Sequence, residues 1–195
     1  MGKRSARKER NYKISIWGCL GVGKTSITAR ATRGCFPDEY EFYEHNTRRG
    51  LTLDGQTICF ELLDTAGTEQ FTAMKELYIK NSDAFVLVCS LASQHSFQYL
   101  STIPEQIHRV KAGKDVTMMI VVGNKSDLVA ERRVKKEELE EFAKSLNCGA
   151  IETSALDGTN VDEILFCVAR EFLRKEEMQE LPIEHKKDKP QCAVN

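Results

Sequence analysis

The run Gly18-Cys19-Leu20-Gly21-Val22-Gly23-Lys24-Thr25 lies between an alternating apolar segment and a helical one. Its spacing, Gly18-x-x-x-x-Gly23-Lys24-Thr25, is that of a phosphate-binding loop. Glycines let backbone N–H groups turn inward around phosphate oxygens with no side chain in the way. The helix that follows presents its positive N-terminal end to the same anion. Lys24 adds a point charge between the two outer phosphates, the Thr25 hydroxyl suits Mg²⁺, and Ser26 closes the set on this segment.

The flanks carry the context that the loop needs. Before it, Tyr12 to Trp17 reads as a strand, with Tyr12, Ile14 and Ile16 on one face. After it, Lys24 to about Arg33 reads as a helix stopped by Gly34. Asn46 to Leu53, the turn Asp54-Gly55 and Gln56 to Leu63 predict a hairpin. Ala84 to Leu91 and Val116 to Gly123 are dense apolar runs, as in parallel strands buried on both faces. Between them Phe97, Leu100, Ile103, Ile107 and Val110 trace a helical stripe in which Pro104 predicts a kink or break. Leu139, Phe142, Ala143 and Leu146 mark one more helical face. Gly149 to Thr153 is a short last strand. Val161, Ile164, Leu165, Val168 and Phe172 form a final helix, with Thr159 or Asn160 as its cap. The alternation predicts an α/β fold with a largely parallel sheet and one antiparallel edge hairpin.

Two further motifs fall at predicted strand ends. Asp64-Thr65-Ala66-Gly67 places an aspartate where it can hold Mg²⁺ directly or through water, and Gly67 can bring its N–H close to a terminal phosphate. In Asn124-Lys125-Ser126-Asp127 the carboxylate of Asp127 can accept the N1–H and the 2-amino hydrogens of guanine as a pair. Adenine has no such donor pair, which argues against an adenine-nucleotide enzyme or a P-loop kinase. Ser154-Ala155 can offer a backbone N–H to the guanine O6. Open α/β sheets bind ligands at this edge. The ligands expected are GTP or GDP with Mg²⁺, the metal held by Thr25 and Asp64.

On these residues the sequence resembles the Ras superfamily of small GTPases over about residues 11–175, most closely the Rap branch of the Ras family. Leu63 to Met74 and Glu105-Gln106-Ile107-His108-Arg109-Val110-Lys111 are the Rap-like stretches. The resemblance implies the P-loop GTPase fold, a six-stranded, mostly parallel sheet with one antiparallel edge strand and about five flanking helices. It also implies a switch that hydrolyses GTP, is recharged by an exchange factor, meets a GTPase-activating protein, and engages effectors through Tyr40–Thr47 and Thr68–Met74. It places Phe36 on the guanine ring and Lys24, Gly67 and Thr68 around the reacting phosphate. Four positions depart from the pattern. Leu20 stands where the family has glycine and projects toward the attacking water. Thr68 replaces the water-positioning glutamine, as in Rap proteins. The segment Tyr40 to Thr47 is one residue short, with Phe42 or Tyr43 in place of the threonine that closes on Mg²⁺, so Thr47 serves only if the register slips. Leu156 replaces a lysine that packs over the base. Two functions follow: a slowly hydrolysing signalling switch, or a GTP-bound interaction module that barely hydrolyses or switches.

Composition narrows the rest. A net charge of -1 over 195 residues gives no polyanion-binding character, so no nucleic-acid partner is expected. Cys19, Cys35, Cys59, Cys89, Cys148, Cys167 and Cys192 include no C-x-x-C pair and read as reduced, intracellular thiols. The opening Met1-Gly2-Lys3-Arg4-Ser5-Ala6 lacks the apolar run of a signal peptide, and Ala6 breaks the myristoylation pattern. The organisation expected is a basic arm at 1–10, a GTPase domain at 11–179 and a charged tail at 180–195. Cys192-Ala193-Val194-Asn195 is a C-a-a-X ending with Lys186, Lys187 and Lys189 upstream. A lipidated Cys192 beside a basic patch predicts the cytoplasmic face of a membrane, taken as the plasma membrane, with a cytosolic pool.

Overall fold

The computed structural model describes residues 10–37, 46–65, 72–112 and 118–180. In chain order these form β1 (Arg10–Trp17), α1 (Lys24–Arg33), β2 (Asn46–Leu53), β3 (Gln56–Asp64), α2 (Thr72–Asn81), β4 (Ala84–Ser90), α3 (Gln94–Leu100), α4 (Ile103–Lys111), β5 (Met118–Asn124), α5 (Lys136–Ser145), β6 (Gly149–Glu152) and α6 (Val161–Glu180). The strands make one sheet in the order β2-β3-β1-β4-β5-β6. Every pair is parallel except β2 with β3. The predicted α/β class and the antiparallel edge strand are both present.

Strand parity divides the core into two layers. Ala84, Val86 and Val88 of β4 face one side with Ile14, Ile16 and Phe60, and are covered by Ile27 of α1 and Ile164, Leu165 and Val168 of α6. Phe85, Leu87 and Cys89 face the other, against Leu100, Ile103, Ile107 and Leu139 from α3, α4 and α5. All residues of β4 and β5 are therefore buried, as their unbroken apolar runs predict. Each such large side chain contributes about 1.5–3 kcal/mol on burial.

Local chemistry sets the boundaries. Gly34 ends α1 at φ 75°, its N–H donating back to the Arg30 carbonyl at 3.0 Å. Asp54 and Gly55 both have positive φ, 48° and 73°, which is the twist that a two-residue hairpin turn requires. The predicted break falls between α3 and α4. Pro104 is the second residue of α4, where its missing N–H costs nothing, whereas a continuous helix would clash there. The stripe thus makes two helices, and with α2 the described residues hold six α-helices where about five are expected.

The two ends of the described chain are fastened together. β1 starts at Arg10, two residues before the predicted start. Arg10 Nε donates to Glu176 of α6 at 2.6 Å, and its Nη1 donates to Gln56 beside the hairpin turn. The Tyr12 hydroxyl donates to the other Glu176 oxygen at 2.5 Å, and its ring stacks on Phe172 at 3.8 Å between centroids. Burial, reinforced by Glu176, pushes the Tyr12 phenol above its ordinary range.

A second fork ties the loop after β5 to the end of β6. Arg132 donates to both oxygens of Glu152, at 2.8 and 2.6 Å. That hydrogen bonding holds the Glu152 carboxyl below its ordinary range, against the opposing effect of burial. A depressed carboxyl stabilises the fold above the unfolded value and ceases to as pH falls through the folded one. Arg132→Gln is therefore expected to cost about 1 kcal/mol near neutral pH, the solvent screening of a half-buried pair included. Urea denaturation near neutral pH and in acid checks this, since the difference from wild type should vanish in acid.

Candidate functional site

The carboxyl ends of β1, β3, β5 and β6 converge on one edge of the sheet. The chain leaves β1 toward β3 on one side and β4 on the other, so the loop after β1 lies at the point where strand order reverses. That loop is Gly18–Gly23. Gly18 has φ 153°, and a Cβ there would lie 2.2 Å from the Val88 carbonyl oxygen. Gly23 has φ 98°, and a Cβ would lie 2.3 Å from Asn124 Nδ2. Neither position accepts a side chain, which is the physical content of the glycine spacing. Gly21, at φ 78°, faces open space.

Lys24 is 6% exposed and folds back on the loop, donating to the carbonyls of Gly18 at 3.0 Å and Cys19 at 2.9 Å. Burial lowers its pKa, opposed by Asp64. A desolvated ammonium inside a ring of backbone groups attracts a polyanion more strongly than a solvated one. Thr25 Oγ1 donates to Asp64 Oδ2 at 2.6 Å. Thr65, next to Asp64, ties the end of β3 to β1 by donating to the Ile16 carbonyl at 2.6 Å.

At the other half of the edge, Asn124 stitches three loops. It is 1% exposed, its Nδ2 donates to the Val22 carbonyl at 2.8 Å, and its Oδ1 accepts from Thr153 Oγ1 at 3.1 Å and the Ala155 N–H at 3.2 Å. Lys125 follows in the left-handed region at φ 66°. Half-buried Asp127 accepts the Ser154 hydroxyl at 2.6 Å, which orients its carboxylate. The sequence offers the Ser154-Ala155 backbone to a base oxygen. In the structure the Ser154 N–H donates to the Thr159 carbonyl, and the Ala155 N–H makes a long bond to Asn124 that can be shared.

Three apolar side chains rim this edge. Leu20 is 70% exposed, Leu156 55% and Phe36 37%. Ser26 lies half-buried on α1. Gly67 and Thr68, residues 40–45 of the first effector segment and Cys192 lie outside the described residues. Thr47 is inside them, paired with Leu62 in the β2–β3 ladder, and its buried hydroxyl has no hydrogen-bond partner among the described residues. Bringing Thr47 to a metal would require a register slip that turns the neighbouring side chains of β2 to the wrong face.

The donor chemistry fits the groups that the motifs imply. Thr25 and Asp64 supply hard oxygens to a small divalent cation, and Gly18 to Lys24 form a cradle that a Cβ would fill. A family model described as the Ras family matches residues 13–174. The chain belongs to the Ras family. As a Ras-family protein it is a small GTPase of the GTP-binding type, and GTP, GDP and Mg²⁺ are the ligands that this family binds in general. The match runs from Lys13 in β1 to Arg174 in α6 and so takes in part or all of every strand of the sheet. Sequence reading of this Ras-family protein missed Thr153 as a support for Asn124 and missed Arg30 altogether. A cation in the last turn of α1 was visible, but no local pattern reveals a partner 125 residues away.

Proposed function

We propose that this Ras-family protein is a Rap-like switch that holds guanine nucleotide tightly and hydrolyses GTP slowly. Leu20 carries the reading. It is 70% exposed on a loop that Lys24 pins through the Cys19 carbonyl, at the position where the family resemblance sets a glycine beside the attacking water. Lys24 neutralises charge on the outer phosphates, and the loop N–H groups hold their oxygens. Asp127 and the Ser154–Leu156 loop read the base, with Phe36 and Leu156 as its apolar walls. Thr25 and Asp64 would hold Mg²⁺, which supplies charge neutralisation at the same oxygens. Leu20 and Thr68 leave ground-state binding intact, but Leu20 crowds the water and any arginine supplied in trans, and Thr68 is too short to orient that water as glutamine does.

Single-turnover hydrolysis of GTP-loaded protein tests this. Leu20→Gly is expected to hydrolyse about tenfold faster or more, a lowering of the barrier by about 1.4 kcal/mol. Equal rates would overturn the crowding argument. A second reading, a module that binds GTP but barely switches, is favoured by the placement of Thr47 in the ladder. Equal capture of partners by GDP- and GTP-loaded protein would select it.

A further inference from the structure

Arg30 sits one helical turn before the end of α1 and belongs to none of the nucleotide motifs. Its guanidinium nevertheless reaches the loop after β6. Nε donates to the Ala155 carbonyl at 3.0 Å, Nη2 donates to the Leu156 carbonyl, and Nη1 donates to the Gly34 carbonyl at 3.0 Å. The side chain lies along Gly158, where a Cβ would come 3.7 Å from Arg30 Cδ and Nε. A planar fork with fixed N–H directions can hold carbonyls of two separate loops in one mutual arrangement. The bond to Gly34 alone would be ordinary capping of a helix end. The bonds across 125 and 126 residues are not.

We infer that Arg30 is the positioning residue of the base site, clamping the Ser154–Gly158 loop to the end of α1 and so setting how fast nucleotide leaves. The inference rests on the reading that guanine is bound at Asp127. Three observations connect the clamp to that site. The gripped loop contains Ser154, whose hydroxyl orients the Asp127 carboxylate. It contains Ala155, whose N–H bonds to Asn124. The gripped Gly34 lies two residues before Phe36, so the two apolar walls of the base site share one fastening. Leu156 has no ammonium with which to pack over a base, and here its segment is held through the backbone instead.

The experiment follows release of a fluorescent GDP analogue from the full chain, in wild type, Arg30→Gln, Arg30→Lys and Asp127→Asn. Single-turnover GTP hydrolysis and melting temperature are measured on each. Arg30→Gln is expected to release nucleotide about ten- to a hundredfold faster, the range set by lost charge-assisted hydrogen bonds. Arg30→Lys should fall between, because one ammonium cannot reproduce the fork. The hydrolysis rate constant should stay within about twofold of wild type, because the clamp does not touch the phosphate loop. Wild-type release from Arg30→Gln, with faster release from Asp127→Asn, overturns the clamp alone. Wild-type release from Asp127→Asn overturns the base-site reading and the clamp with it. Equal changes in release and hydrolysis with a lowered melting temperature would make Arg30 a general stabiliser and overturn its positioning role.

Discussion

GDP is expected to leave an Asp127→Asn variant at least about a hundredfold faster than wild type. A carboxylate can accept both the N1–H and the 2-amino hydrogens of guanine, each bond charge-assisted and contributing about 1.5–3 kcal/mol. The amide keeps one acceptor and turns an NH₂ group toward a second donor. The loss is therefore about 3 kcal/mol or more, and about 1.4 kcal/mol corresponds to each factor of ten. The fold should survive. Asp127 is half-buried in a loop, and the carbonyl of the substituted amide can still accept the Ser154 hydroxyl. Dissociation kinetics together with far-UV circular dichroism check both halves of the expectation. Unchanged GDP release in a folded variant would remove Asp127 from base recognition.

Asn124→Ala is expected to damage stability more than any surface change near the site. The side chain is 1% exposed and makes three hydrogen bonds, to Val22, Thr153 and Ala155. Truncation leaves the Val22 carbonyl and the Ala155 N–H buried without their partner, at about 1–3 kcal/mol each. The space cannot refill from the phosphate loop, because Gly23 is already positioned against Asn124 Nδ2. A total of about 3–5 kcal/mol corresponds to a fall of about 10 °C in melting temperature for a domain of this size. Differential scanning fluorimetry with saturating GDP measures it. A fall below about 3 °C would mean that the three loops are held by other contacts.

These effects differ in how far the sequence exposes them. The α1 boundaries could be read because a glycine loop precedes the helix and Gly34 stops it. The hairpin could be read because Asp54-Gly55 supplies two left-handed residues. α2 escaped reading because Met74 and Leu77 are 45% and 49% exposed while Ile79 is buried, so its apolar residues form no one-sided stripe. Asn124 was legible as part of a motif, but its three partners were not. The structure spends both ends of its amide on the protein itself. Arg30 was not legible at all, since its partners are backbone carbonyls, which every residue has. Thr159 or Asn160 reads as the cap of α6; what the sequence does not show is that the Asn160 amide also donates to the Glu152 carbonyl and so holds the end of β6.

The fastening at Glu176 has a mechanical side. A pull on the chain beyond α6 would first load the pair of bonds from Arg10 and Tyr12 and the stacked rings behind them. Through Arg10 the load would also reach Gln56, at the tip of the hairpin. Tension applied at that end enters β1, an interior strand of the sheet, at its first residue, while Gly18 and the phosphate loop follow its last. β1 thus runs as one straight connection from the fastening at Glu176 to the phosphate loop.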